Sequence, residues 1–431
     1  MRHSTNRTGL TLAAIVAVIV IPALSQAQTI ASRVASFASS GAMQFTYASG
    51  SGVCGNGRSW YSIGGSSFYG NYDSDFSRLT SEQCVAGPVR VVLDVSDHIV
   101  VGMRTFVGPV QADGSTVSLG GVGVAAATDY LLSLAASSEG RVGSEALNAA
   151  LLADSVDLTD RLLAIGRDNA RPLETRRSAL SALASASTTQ IPKISEALIG
   201  IARNENETQS LRQRALSSLA RLGHGDGIPP LIQLAARELP SWVGRESLGV
   251  LARSGDPRAR EYLRAVIQRT DLPDDALSIA IRGFGREYVT SRDAQALRDL
   301  FPRLTGSSSS EAVLSSLGEL GGAENVQWLL GLVRNSVLQM ETRRRALQYL
   351  TRAGVPTQQL VALYDATTDA PLKEALISVY SRLGEKASTD KLVSIAKSDE
   401  NLQFRRRAIS ALSRNNDPTV KEALAGIVER M

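Results

Sequence analysis

The sequence predicts a mainly α fold: a right-handed α-solenoid of about nine two-helix repeats, preceded by a small disulfide-tied β domain. Three observations carry that expectation. Two columns of apolar residues recur with a period near 33 from residue 140 to the carboxyl end. The residue grammar changes near position 126, from Gly/Ser-rich alternation to helical spacing. The only two cysteines, Cys54 and Cys84, both lie ahead of that change.

The chain of 431 residues is 43% hydrophobic and 20% charged, ordinary for a globular protein. Aromatics make up only 5%, so the core must rest on Ala, Leu, Ile and Val. Residues 1–27 read as a secretory signal peptide. Arg2 and Arg7 give a positive start, Leu10 to Leu24 is apolar apart from Thr11, and Ser25 and Ala27 are small residues before a cut at Gln28. The apolar run falls short of the roughly 20 residues that span a bilayer. An uncleaved anchor is the competing reading, and no other stretch suits a membrane. The expected location is therefore periplasmic or extracellular, with no membrane insertion once the signal is removed. The expected organism type is bacterial.

Residues 28–125 are assigned to the β domain. The stretch SGSGVCGNGRSWYSIGGSSFYGNYDSD has no helical period and many turn formers. Residues 89–108 predict a β-hairpin: Val91, Leu93 and Val95 alternate with Arg90, Val92 and Asp94, and a turn at Ser96-Asp97-His98 leads into a second alternating run. Met43–Ala48 and Ser59–Ile63 are further strand candidates. In an exported chain the pair Cys54 and Cys84 predicts a disulfide, contributing about 3–4 kcal/mol by loop closure.

Residues 126–431 are assigned to the solenoid. The first column comprises marker residues Ala146, Ala179, Ala215, Ser247, Ala280, Val313, Ala346, Ala375 and Ala408, each followed by Leu or Ile. The second comprises Leu162, Leu198, Leu231, Leu263, Leu297, Leu329, Leu360, Leu392 and Leu424, each with an apolar partner three residues on. Each unit thus carries two amphipathic helices that cannot cover their apolar faces alone and must stack on the next pair. Asp256-Pro257 and Asp417-Pro418 carry helix-start chemistry.

Two units contain a triple arginine, ETRRRALQYL (341–350) and QFRRRAISAL (403–412), and related units carry Arg176-Arg177, Arg212, Arg245 and Lys373 nearby. One recurring structural position is the favoured explanation: a ladder to carbonyls or to acids such as Glu341, Asp399 or Glu400 in the neighbouring unit. The alternative, a phosphate-binding stripe, fits poorly with the charge balance. Without the leader the chain has 44 basic and 42 acidic residues, whereas nucleic-acid binders show a strong positive excess. No nucleic acid is expected as partner.

The unit length, the two-helix layout and the fragment LRQRALSSLARLGHGDGIPPLIQLA (211–235) resemble HEAT and HEAT-like repeats, in particular the short variety related to phycobilin-lyase repeats. The resemblance covers roughly residues 140–431. It implies a protein-binding scaffold, although some family members are enzyme subunits. The phycobilin link does not transfer to an exported chain.

The search for chemistry returns no catalytic, cofactor-binding or metal-binding residues and no cofactor. His224 near Asp226 lacks a nucleophile motif, and His98 beside Asp97 fits a hairpin turn. Asp73 and Asp75, with Glu82, supply too few oxygens for a calcium loop. CGNGR (54–58) lacks the helix and Lys-Ser/Thr of a phosphate loop. Trp242, Trp328, Tyr262, Tyr349, Tyr364 and Tyr380 are assigned to packing. The expected function is a non-enzymatic, exported protein-binding scaffold. The alternative is an enzyme or a small-ligand- or glycan-binding protein, with a site drawn from Asp73, Asp75, His98 and Arg104 in the β domain or at its junction with the first repeats.

Overall fold

The computed structural model describes residues 30–37, 40–58, 60–63, 66–69, 84–109, 116–138, 140–154, 156–186, 190–269, 271–284, 290–414 and 418–428. The predicted leader lies outside them. The chain divides into two compact units, Met1–Ser218 and Leu219–Met431.

The first unit contains two sheets, the larger centred on the Val-rich hairpin of residues 89–107. Strands β1 (Gly41–Tyr47), β5 (Val89–Ser96), β6 (Ile99–Val107) and β7 (Thr116–Gly121) form one sheet, in the order β6-β5-β1-β7. Strands β2 (Val53–Gly55), β3 (Trp60–Ile63) and β4 (Ser66–Tyr69) form the other. The predicted hairpin is β5–β6. It turns at Asp97 and His98, both at positive φ (51° and 65°), which fits the right-handed twist of the two strands. A disulfide joins Cys54 to Cys84, with Cα atoms 5.2 Å apart, beside the backbone bridge between Gly55 and Val85.

Strand β5 departs from simple alternation, because both of its faces are covered. Val92 and Arg90, on the nominally polar face, are buried along with Val91 and Leu93. Arg90 donates to the Gln44 side chain and to the Gly57 carbonyl, and its guanidinium lies 4.3 Å from the centre of the Phe106 ring. Gly57 has φ +74°, and a Cβ there would sit 2.2 Å from the Pro109 carbonyl, so the close passage of these loops requires glycine.

Helices α1 (Val124–Ser137), α2 (Gly140–Leu151), α3 (Thr159–Arg167), α4 (Leu173–Ala186), α5 (Ile191–Arg203) and α6 (Gln209–Arg221) follow. The sheet shares a core with the first of them. Phe45 meets Tyr130 edge to face at 6.2 Å, and the Tyr47 hydroxyl donates to the Ala149 carbonyl. The chain after β1 is tied to the end of α2 by Gly50 N–H to Leu152 O and Asp154 N–H to Ala48 O.

The second unit continues with α7 (Ile228–Glu238), α8 (Trp242–Ser254), α9 (Pro257–Val266), α10 (Asp274–Phe284), α11 (Ser291–Leu300), α12 (Ser307–Leu320), α13 (Ala323–Arg334), α14 (Met340–Arg352), α15 (Thr357–Ala366), α16 (Ala370–Leu383), α17 (Lys386–Ser398), α18 (Leu402–Leu412) and α19 (Pro418–Val428). Within each unit the helices follow the predicted register, and both columns are buried, with Ala375, Ile409, Leu332 and Leu424 only partly so. Asp256 caps α9 by accepting from Arg258 N–H, as its sequence predicts. Asp417 lies outside the described residues. One cap crosses between repeats: Asp274 accepts from the N–H groups of Ser308 and Ser309 at the start of α12. Gly306 leaves room for it, since a Cβ there would overlap its carboxylate.

The arginines divide by register. Three residues before the marker, Arg176, Arg212, Arg343 and Arg405 donate Nε–H to the carbonyls of Gly166, Ala202, Val333 and Ala396 at 3.1, 2.8, 2.9 and 3.3 Å. Each acceptor sits in the last turn of the preceding repeat's second helix, where carbonyls lack partners within the helix. Arg176 also pairs with Glu207, and Arg343 with Asp369, both ahead of the next repeat's first helix. One side chain thus joins three consecutive repeats. The ladder exists, but its acids are not those expected from sequence. Glu341 accepts from Arg345 on its own helix, and Asp399 accepts the Tyr364 hydroxyl.

A second ladder runs along the second helices. Arg161 meets Asp129 and Lys193 meets Asp160 in the first unit. In the second, Arg264 grips Asp293 with two hydrogen bonds, and Arg298 reaches Asn325 and Glu324. Burial pushes the Asp293 carboxyl up, but Arg264 and the N–H and hydroxyl of Thr290 outweigh it, holding the pKa down at about 2.

Two outcomes follow for stability. Arg343→Ala leaves an orphaned carbonyl and the Asp369 carboxylate without its partner, and is expected to cost about 3 kcal/mol in urea denaturation. Arg344→Ala, one residue on and exposed, should stay within about 0.5 kcal/mol; equal effects would refute the division by register. Asp293 ionises more easily folded than unfolded, so its contribution of about 2 kcal/mol is present above the unfolded carboxyl pKa and lost as pH falls through the folded one. The stability gap between wild type and Asp293→Asn should therefore close between about pH 4 and pH 2; parallel stability curves would contradict this.

Candidate functional site

The first helices of adjacent repeats leave grooves between them, and two of these in the second unit are large. The groove between α8 and α10 measures about 400 Å³, that between α14 and α16 about 560 Å³. They occupy equivalent places and differ in charge. In the α8/α10 groove three arginines face two acids, and the acids are engaged: Arg253 with Glu246 and Arg245 with Asp275.

The α14/α16 groove has four arginines against one glutamate. Of these four only Arg345 is matched to carboxylates, donating to Glu341 and Glu311 at 3.0 Å each. Arg352 lies over the Tyr349 ring, 5.1 Å from its centre. Arg344 and Arg382 are exposed and make no ion pair among the described residues. Leu347 and Val379, both buried, form the apolar floor. Burial, and then the hydrogen bond to Glu311, push the Tyr349 hydroxyl above its ordinary value, so it stays protonated as a donor.

Arg352 was not singled out by the triple-arginine reading, yet a signal existed. Arg221, Arg253, Arg352 and Arg414 each lie six residues after their marker, a third column in the same register. Arg382, seven after its marker, is a near member. Of each triple, the first arginine is spent in the ladder. The third pairs with the preceding repeat, Arg345 with Glu311 and Arg407 with Glu374. The middle one, Arg344 or Arg406, is exposed.

The alternative site does not assemble from the residues described. Asp73, Asp75 and Glu82 lie outside the described residues. His98 is exposed at the hairpin tip, while Arg104 lies six residues along β6, roughly 20 Å of extended strand away, paired with Asp94 at 2.8 Å. The His224 side chain is outside the described residues, and Asp226 is exposed. Among the described residues no three His, Cys, Asp or Glu side chains gather as for a metal ion, and no helix is long and apolar enough to cross a membrane. Of the aromatics expected to pack, Tyr349, Tyr364 and Tyr380 are buried and Trp328 meets Phe301 edge to face at 5.3 Å, whereas Tyr262 is half-buried and Trp242, also half-buried, lines the α8/α10 groove.

Residues 195–285 match the family model for HEAT repeats. No curated protein matches the chain. Among solved structures, similarity extends to lipovitellin, described for its lipid–protein interactions, at 10% identity and a TM-score of 0.43 over 78% of this chain and 40% of that one. It extends also to human deoxyhypusine hydroxylase in complex with glycerol, at 18% identity and a TM-score of 0.25 over 64% and 98%. A third is a microtubule polymerase TOG-domain array recruiting tubulin, at 10% identity and a TM-score of 0.24 over 72% and 88%. This chain spans less than half the length of the lipovitellin chain, and none of the three TM-scores reaches 0.5. The matched stretch lies among helix pairs whose buried columns carry the same period to either side of it, so the repeat array is HEAT-like in its unit.

Proposed function

We propose that the chain is an exported, non-enzymatic scaffold that binds a protein partner across the exposed faces of its repeats. The observation that carries this reading is the division of labour within each pair. Inward positions are consumed by neighbouring repeats, and the outward face of the first helices presents wide charged grooves without a converging set of reactive groups among the described residues. Such a surface suits many modest contacts spread over several repeats. Export is supported by the leader pattern of residues 1–27 and by the Cys54–Cys84 disulfide, a bond that persists in oxidising compartments.

Two measurements test the two halves of the proposal. Amino-terminal sequencing of the protein recovered from its producing cells should read Gln28 first; an intact Met1 would remove the export reading. For binding, a photo-crosslinking amino acid is placed at Gln348 on a first helix, Gln295 on a second helix, or Asp97 at the hairpin tip, all exposed. A single protein adduct is expected at Gln348 or Gln295. Adducts confined to Asp97 would move the function to the β domain.

A further inference from the structure

We infer that the α14/α16 groove is the seat of an acidic, extended segment of the protein partner, held through its Asp and Glu carboxylates by Arg344, Arg352 and Arg382. This rests on the protein-binding reading above and adds the chemistry and place of contact.

The argument begins with the contrast between equivalent grooves. Exposed arginines on a helical array are ordinary when carboxylates of the same array answer them, and the α8/α10 groove is of that kind. In the α14/α16 groove the internal acids, Glu341 and Glu311, are both spent on Arg345. Three guanidinium groups remain around one cavity of about 560 Å³, and the acid in its lining, Glu341, is already paired with Arg345. Like charges held together cost free energy, and an anionic ligand removes that cost. Arginine favours carboxylates because its planar fork donates two parallel hydrogen bonds to them.

The rest of the lining favours a peptide. Leu347 and Val379 offer an apolar floor for side-chain stems, and Gln348, Thr351 and Ser378 offer hydrogen-bonding groups to a backbone laid between the helices. A nucleic acid is the less suitable polyanion. The described lining holds no aromatic side chain for a base to stack on, and the chain without its leader is nearly charge-balanced.

The test uses the full chain without its leader and a short fluorescein-labelled peptide of Asp and Glu, read by fluorescence polarisation. Comparison probes are the same peptide in Asn and Gln and a labelled single-stranded oligonucleotide. Wild type should bind the acidic peptide and not the amide peptide. Arg344→Glu with Arg382→Glu should weaken binding by about tenfold or more, at an unchanged melting temperature because both side chains are exposed. Arg282→Glu in the α8/α10 groove should leave it unchanged. Equal loss in the Arg282→Glu variant, no binding of the acidic peptide, or tighter binding of the oligonucleotide would each overturn the assignment. A partner crosslinked at Gln348 whose capture ignores Arg344→Glu with Arg382→Glu would overturn it while leaving the scaffold reading intact. Groove-dependent peptide binding with no adduct anywhere on the repeats would support the groove and count against the scaffold.

Discussion

The structure depends on a deficit: no helix pair here can cover its own apolar surface. Leu180 and Leu198, or Leu347 and Leu360, reach complete burial only with atoms from adjacent pairs around them. The small marker at the first column, Ala in most repeats, follows from the same constraint, since helices must approach closely for the leucines on either side to interlock. The end of such an array needs a different cover. At the amino end β1 and helix α1 supply it, with Phe45 against Tyr130 and the β1 extension hydrogen-bonded to the close of α2.

Stacking creates a second problem, which the buried arginines solve. Every second helix ends in carbonyls with no partner in the helix, and stacking removes water from some of them. In four repeats an arginine on the following first helix, three residues before the marker, turns Nε–H to that carbonyl, and two of the four, Arg176 and Arg343, keep another nitrogen for an acid of the next repeat. Burying a charge in this way gives little net stability compared with an apolar substitute. It fixes register, because a one-residue slip would leave both the carbonyl and the guanidinium unmatched.

The architecture was legible in the sequence because it is repetitive. A column of leucines copied every 33 residues or so is a pattern that one chain can show without comparison to others, and the hairpin at 89–108 showed itself by alternation. Strands β2 (VCG), β4 (SSFY) and β7 (TVSLGG) did not, being short and without a sustained alternation. The burial of Arg90 was unreadable, since the alternation of β5 places it with the polar positions and only the covering of both faces reverses that. The ladder was legible as a position but not in its partners. Its acceptors are mainly backbone carbonyls, which carry no side-chain signature, and its acids, Glu207 and Asp369, lie in connecting segments outside the two columns.

Three adjacent arginines of identical chemistry therefore end in three environments, set by the helix's turn of about 100° per residue. Arg343 is turned into the seam, Arg345 toward the carboxylates of its own and the preceding first helix, and Arg344 outward. Counting charges along the chain treats them alike, and for the whole molecule that count comes out near balance. Balance over a chain does not require balance over each groove. Where the internal acids are distributed evenly, as between α8 and α10, an arginine-rich helix is electrostatically quiet. Where Arg345 absorbs both nearby glutamates, the surplus falls on its neighbours, and a nearly neutral protein acquires a local surface selective for carboxylates.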